Sequence, residues 1–290
     1  MTDAVVGEMV SVLKPAGATS PIVADSPHSG RFYPPDFETC VDRASLQRLE
    51  DGFVDELVTD MTNTGATVVL ARFPRAYIDP NRAEHDLDPT LIEGPWLQPL
   101  LPSTKTELGV GLIFRRTLDG RHLYPGRLTS QAIHHRLNTC YVPYHAHLKD
   151  SLDAVYAEHG HVIHLNCHSM PSLSGLASAR AASERPDFCL GNRHGTTASQ
   201  ALMDQIEGML QGCGYVVSRN VPYAGVELVR RYAEPESGRH SIQIEINRAL
   251  YMDEQTHQPH DGLTRIRAVM TALAAELGER GKNAFELAAE

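Results

Sequence analysis

The chain has no Cys-x-x-Cys pair, and its five cysteines, Cys40, Cys140, Cys167, Cys189 and Cys213, are odd in number and widely spread. That pattern excludes a zinc ribbon or a disulfide framework and suits reduced thiols in the cytoplasm. Basic residues are in deficit: 26 Lys and Arg face 36 Asp and Glu, a formal charge of −10. Such a surface repels nucleic acid and anionic membrane, so neither is an expected partner, although locally gathered arginines could still receive an anionic substrate. No apolar run approaches a membrane span. Met1–Lys14 carries Asp3 and Glu8 where a signal peptide would have a basic stretch and then an apolar one. There is no Gly-x-Ser-x-Gly elbow for a serine nucleophile and no phosphate loop ending in Gly-Lys-Ser/Thr. Internal repeats and compositional boundaries are also missing, so one domain over residues 1–290 is expected.

What is present is 290 residues at 42% apolar, enough for a sizeable core. Runs rich in apolar or β-branched residues predict strands at Val5–Leu13, Pro21–Asp25, Ala66–Ala71, His161–Leu165, Tyr215–Ser218 and Ser241–Ile246. Three- and four-residue spacing predicts helices at Ser45–Asn63, Ser130–Glu158 (bent at Pro143), Thr196–Gly212 and Asp261–Leu277. Asp79–Lys105 is polar and proline-rich, and a connection that long is usually functional. Strands alternating with helices predict the α/β class: a mixed, mainly parallel sheet with helices on both faces.

Two strands run into histidines. Pro21–Asp25 leads to His28 in the turn Ser26-Pro-His-Ser-Gly30, and His161–Leu165 leads to His168 in Asn166-Cys-His. Strand ends at one edge of an α/β sheet are where ligands bind, and two histidines with a carboxylate are a common zinc set. The acidic ligand is sought in the helix after His28, which offers Asp51, Asp55 and Glu56. Asp51 is preferred because it lies nearest the helix start, with Asp55 still open. Arg72–Arg82 holds three arginines and Asn81, a basic group on an acidic protein that calls for either internal acids or a substrate carboxylate. In Ser241-Ile-Gln-Ile-Glu-Ile-Asn247, period-two alternation puts Gln243, Glu245 and Asn247 on one face. Near a metal Glu245 would serve as general base; otherwise it would pair with Arg248 or another arginine. Cys167 and His168 are adjacent on a strand and point to opposite faces, which argues against a Cys–His couple.

Taken together, the chain resembles the N-formylglutamate amidohydrolases. The matching segments are Ser26–Gly30, Asp51–Leu57, Arg75–Arg82, Asn166–Pro171, Leu190–Gly195 and Gln243–Met252, in order over roughly residues 20 to 255. The resemblance implies a zinc hydrolase related in fold to the metallocarboxypeptidases, releasing formate from N-formyl-L-glutamate, as in one bacterial route of histidine degradation. That wider pattern places a glutamate ligand three residues after the first histidine. Here the position is Arg31, so Asp51 enters as the ligand in its place. The expected site is therefore zinc on His28, Asp51 and His168, with Glu245 as general base. Asn81 and Arg82 would hold the substrate's α-carboxylate, and Arg75 or another arginine its γ-carboxylate. The expected partner is a small dicarboxylate substrate; oligomeric state is not legible.

Overall fold

The computed structural model describes residues 9–172 and 186–288, so the first part of the Val5–Leu13 prediction lies outside the described residues. Its centre is a seven-stranded sheet. In chain order the strands are β1 (Val10–Leu13), β2 (Ile22–Ser26), β3 (Thr67–Ala71), β4 (Val162–Met170), β5 (Phe188–Gly191), β6 (Val217–Arg219) and β7 (Arg239–Asn247). They lie side by side as β1, β3, β2, β4, β7, β5, β6. The pairs β3–β2, β2–β4, β4–β7 and β5–β6 are parallel, while β1–β3 and β7–β5 are antiparallel. The mixed, mainly parallel sheet is as expected.

The helices are α1 (Arg43–Gln47), α2 (Val54–Val58), α3 (Thr104–Glu107), α4 (Ser130–Arg136), α5 (Val142–His159), α6 (Gln200–Gly212), α7 (Glu227–Tyr232) and α8 (Gly262–Ala288). One face of the sheet packs Val23, Val69 and Val162 with Ile133, Tyr144, Leu148 and Leu152 of α4 and α5. The other packs Leu70, Leu165, Ile242, Ile244 and Ile246 with residues of α2, α6 and α8, among them Leu57, Ile206, Met270 and Leu273. Each of these large apolar side chains contributes about 1.5–3 kcal/mol on burial, and together they close both faces. No helix among the described residues is long and apolar enough to cross a membrane.

Two predicted elements differ in ways that shape the site. Ser45–Asn63 is not one helix: α1 ends at Gln47, α2 begins at Val54, and a 3-10 turn follows at Thr59–Thr64. The apolar spacing continues across the gap, but Glu50 and Asp51 are buried polar residues and Phe53 takes φ 64°, in the left-handed region. The chain breaks there so that Asp51 can turn inward. Likewise, β4 does not stop before Asn166; it runs to Met170, so His168 lies within the strand and not beyond its exit. Alternation then places His164, Asn166 and His168 on the same face as Asp25 of β2 and Ser241, Gln243 and Glu245 of β7, opposite the apolar set Leu165, Cys167, Ile242 and Ile244. Within the predicted Ser130–Glu158 helix, a wide turn at Leu137–Tyr141 separates α4 from α5, with Pro143 in the first turn of α5.

The irregular connection is held from below. Arg136 of α4, wholly buried, donates from Nη1 to the Tyr77 carbonyl (3.0 Å) and to the Tyr124 hydroxyl (2.6 Å). Its guanidinium lies 4.1 Å from the Tyr77 ring centroid. His145 of α5 places Nε2 3.0 Å from the Pro80 carbonyl. The Tyr77–Asn81 backbone, which carries Asp79, is thus fixed by side chains of two helices.

Candidate metal centre and active site

His28 sits in the turn after β2. The turn packs so closely on the next segment that a Cβ on Gly30 would lie 2.2 Å from the Phe73 carbonyl oxygen. Only glycine fits there. The Asp51 amide donates to the His28 carbonyl (3.0 Å), so the turn and the helix break are tied backbone to backbone. His168 arrives from β4, and the two imidazole centroids stand 4.6 Å apart. Candidate ligand atoms of His28, Asp51 and His168 all lie within 4.8 Å of one another, and all three residues are buried.

Asp51 divides its oxygens. Oδ1 lies 3.2 Å from Arg248 Nη2 and 3.6 Å from Arg75 Nη1, while Oδ2 faces Nδ1 of His168 at 3.0 Å and Nδ1 of His28 at 3.3 Å. Burial alone would push the Asp51 carboxyl up, but bonds to His168 and His28 and the charge of Arg75 hold it well below the usual carboxylate range. Behind His28, Asp79 Oδ1 lies 2.6 Å from Nε2 and Oδ2 accepts from Arg75 Nη2 at 2.9 Å. Burial pushes Asp79 up too, and is overcome by His28, Arg75 and Arg82, which keep it ionised.

These contacts test whether a cation belongs here. His28 lies between two carboxylates, with Nε2 2.6 Å from Asp79 Oδ1 and Nδ1 3.3 Å from Asp51 Oδ2, so a single imidazole proton serves one of them and a cation can take its place at the other. A tetrahedral zinc with ligand bonds of about 2.0–2.1 Å separates neighbouring ligand atoms by about 3.3 Å. The donor set, two imidazoles and a carboxylate, and its spacing therefore fit a zinc-like cation. The Asp79 carboxylate behind His28 is the usual outer partner of a ligating histidine.

Glu245 lies on β7 in register with His168 on the neighbouring β4. Its partner is Gln243, whose Nε2 donates to Oε1 at 2.7 Å. Arg248, the alternative partner considered from sequence, is instead spent on Asp51, on the Glu50 carbonyl (2.8 Å) and on Ser169 (2.9 Å). Burial pushes the Glu245 carboxyl above its usual range; His168 and Arg75 pull it back, Asp51 adds to the rise. That is the direction that suits proton transfer near neutral pH. Two further polar atoms at the site, Arg75 Nε and Gln243 Oε1, are buried without a hydrogen-bond partner among the described residues.

The other expected residues fall as follows. Asp55 and Glu56 lie away from the centre, paired with Arg31 at 3.0 and 3.3 Å. Arg31, the departure from the wider pattern, therefore binds the two acids that are not drawn in. Arg75 is at the centre but bound to Asp79 and Asp51. Asn81, expected on a substrate carboxylate, turns inward: Oδ1 accepts from Leu228 N (2.9 Å) and Nδ2 lies 3.1 Å from His168 Nε2. It is 2% exposed, so its amide supports the histidine. Arg82 donates to the carbonyls of Val110 and Asn81. Among the described residues neither it nor Lys105 forms an ion pair. Burial lowers the Lys105 ammonium, and the charges of Arg82 and Arg75 lower it further. Asp86 fixes this lysine's helix, accepting from Ser103 N (2.7 Å) and Ser103 Oγ (2.8 Å). Sequence reading missed Lys105, Asp79 as a histidine partner, and Asn166. For Asn166 a signal existed, since it stands two residues before His168 and so shares its strand face.

Residues 20–252 match the model of the family described as N-formylglutamate amidohydrolase. A curated relative, the N-formylglutamate deformylase of Pseudomonas aeruginosa, is 27% identical over 272 residues, covering 91% of this chain and 95% of its own. The N-formylglutamate deformylase of Pseudomonas putida is 26% identical over 239 residues, 81% of this chain and 82% of its own. Among solved structures, the N-formylglutamate amidohydrolase of Ralstonia eutropha JMP134 superposes with a TM-score of 0.90 at 40% identity, covering 96% of this chain and 99% of that one.

Proposed function

The chain belongs to the N-formylglutamate amidohydrolase family, and on that premise we propose that it hydrolyses N-formyl-L-glutamate to formate and L-glutamate with zinc held by His28, Asp51 and His168. We place the reaction in histidine degradation and in the cytoplasm, in keeping with unpaired cysteines. The observation that carries the reading is the convergence of three ligand atoms within 4.8 Å beside a buried glutamate whose pKa is raised.

A zinc ion there would supply Lewis acidity, bringing the pKa of a water to about 7 and drawing charge from the formyl oxygen. The protein supplies the rest. Glu245 keeps Oε1 on Gln243, which leaves Oε2 to take the proton of the attacking water and return it to the departing glutamate nitrogen. Arg75 Nε, buried and without a partner, is the donor available to an anionic oxygen at the centre. Arg82 and Lys105, cations without an ion pair among the described residues, would receive the substrate's carboxylates, which accounts for positive charge gathered on a chain of net charge −10.

Lys105→Met is expected to raise KM for N-formylglutamate about tenfold and leave kcat within a few-fold, because it removes binding distant from the reacting carbon. Initial-rate kinetics check this. The proposal itself is tested by formate release from N-formylglutamate beside N-formylaspartate, N-acetylglutamate and a short peptide. N-formylglutamate should lead in kcat/KM. A lead by the acetyl compound or the peptide would assign the site to another acyl-amino acid or to peptide C-termini.

A further inference from the structure

The wide turn between α4 and α5 belongs neither to the ligand set nor to the general base, yet it lies against the segment that carries Asp79, Asn81 and Arg82. The Val142 amide donates to the Leu137 carbonyl, five residues back in place of four. Single wide turns of this kind are frequent at functional sites. This one changes which side chains share a face. In an uninterrupted α-helix Tyr141 would stand about 140° round the axis from Arg136; one extra residue in the turn brings it to about 40°. Arg136, Tyr141 and His145 therefore face one way, and each reaches a carbonyl of the same segment. Arg136 donates to that of Tyr77, His145 Nε2 lies 3.0 Å from that of Pro80, and the Tyr141 hydroxyl donates to that of Arg82 at 2.9 Å. All three residues are buried, and the Tyr141 and His145 rings lie 4.3 Å apart.

The two donors nearest Arg82 keep their protons. Burial, with the charge of Arg231, brings the His145 imidazole down to about 3, so it is neutral, gives Nε2–H to the Pro80 carbonyl and accepts at Nδ1 from the Tyr232 hydroxyl at 2.7 Å. Burial pushes the Tyr141 phenol up, and its oxygen also accepts from Arg231 Nη1 at 3.4 Å. Arg82 is thus held at both ends of its backbone: its N–H donates to the Asp79 carbonyl at 3.2 Å and its carbonyl accepts from Tyr141. Its guanidinium gives Nε to the Val110 carbonyl and Nη1 to the Asn81 carbonyl, and among the described residues Nη2 has no hydrogen bond. We infer that Tyr141, brought into place by the wide turn, is a positioning residue that fixes the root of Arg82 so that Nη2 meets a carboxylate of the substrate. Arg136 and His145 anchor the residues before it. A binding group displaced by about 1 Å can cost as much as about a hundredfold in rate, which is the loss such an anchor prevents.

The inference rests on Arg82 receiving a substrate carboxylate, and the test separates the two. Kinetics would be measured on N-formyl-L-glutamate and its two monoamides: N-formyl-L-glutamine lacks the γ-charge, N-formyl-L-isoglutamine the α-charge. Arg82→Gln should lower kcat/KM by about 10–100-fold, the worth of a charged hydrogen bond, for the diacid and for the monoamide that keeps the carboxylate Arg82 binds. The other monoamide should change only a few-fold. Tyr141→Phe keeps the ring against His145 and so the fold, which a thermal melt verifies. It should reproduce the same substrate pattern at about three- to tenfold, in KM and not in kcat. In the double variant it should add nothing selective to Arg82→Gln, because Tyr141 acts through Arg82. Tyr124→Phe is the matched control: it removes a buried hydroxyl that binds Arg136 at 2.6 Å, so any loss should fall alike on all three substrates. A uniform loss or none in Tyr141→Phe, or the selective pattern in Tyr124→Phe, would overturn the positioning role and leave the assignment of Arg82 intact. Equal losses on all three substrates in Arg82→Gln would remove Arg82 from carboxylate binding, and the role of Tyr141 with it.

Discussion

Glu245→Gln will bind zinc as the wild-type chain does and release formate at least about a hundredfold more slowly, the scale of a lost general base. The substitution is nearly isosteric. An amide oxygen at position 245 can still accept from Gln243 Nε2, which sits 2.7 Å from Oε1 in the native chain. It also removes the buried carboxylate whose pKa burial has raised, so the fold has no reason to suffer. What is lost is a basic Oε2 in register with His168. KM should hardly move, since in the proposed mechanism the residue works on the water and the leaving nitrogen and not on the substrate carboxylates. Zinc content by elemental analysis together with formate-release kinetics checks both halves. Native turnover by this variant would remove Glu245 from the mechanism.

The second large effect concerns the proposed acidic ligand. Asp51→Asn should lower zinc affinity by more than about a hundredfold, beyond the 10–100-fold seen when only an outer partner is lost. Asp51 carries two duties, Oδ2 toward the imidazoles and Oδ1 toward Arg75 and Arg248. An amide can keep an oxygen on only one side and has no charge for either. Asp55→Asn is the matched control: its carboxylate is bound to Arg31 at 3.0 Å outside the centre, so zinc affinity and turnover should stay near native. Equal losses in the two variants would show that charge in this segment, and not ligation, is being measured.

Periodicity exposed the outline of this fold well because most strands are buried on both faces or alternate cleanly. The apolar runs at Pro21–Asp25 and Ala66–Ala71 mark strands of the central sheet. Two boundaries were hidden for a common reason. At Glu50–Phe53 the helical spacing of apolar residues carries on while the backbone breaks to bury Asp51; at Asn166–His168 polar residues look like a strand end although the strand continues. In both places buried polar groups are satisfied by partners far away in sequence, such as Arg248 for Asp51 and Asp25 for Asn166. Local pattern cannot register those partners. The same limit hid the inward turn of Asn81, whose amide is set by Leu228 and His168. His28, Asp51, His168 and Glu245 could be singled out because each is a chemically costly residue in a strand, tight turn or helix start.

The most direct measurement is formate release from N-formyl-L-glutamate by enzyme first stripped of metal with a chelator and then titrated with zinc, with bound metal counted at each point. Turnover should vanish on stripping and return in proportion to zinc, reaching its maximum at about one ion per chain. Undiminished turnover in a preparation holding almost no metal would contradict the account.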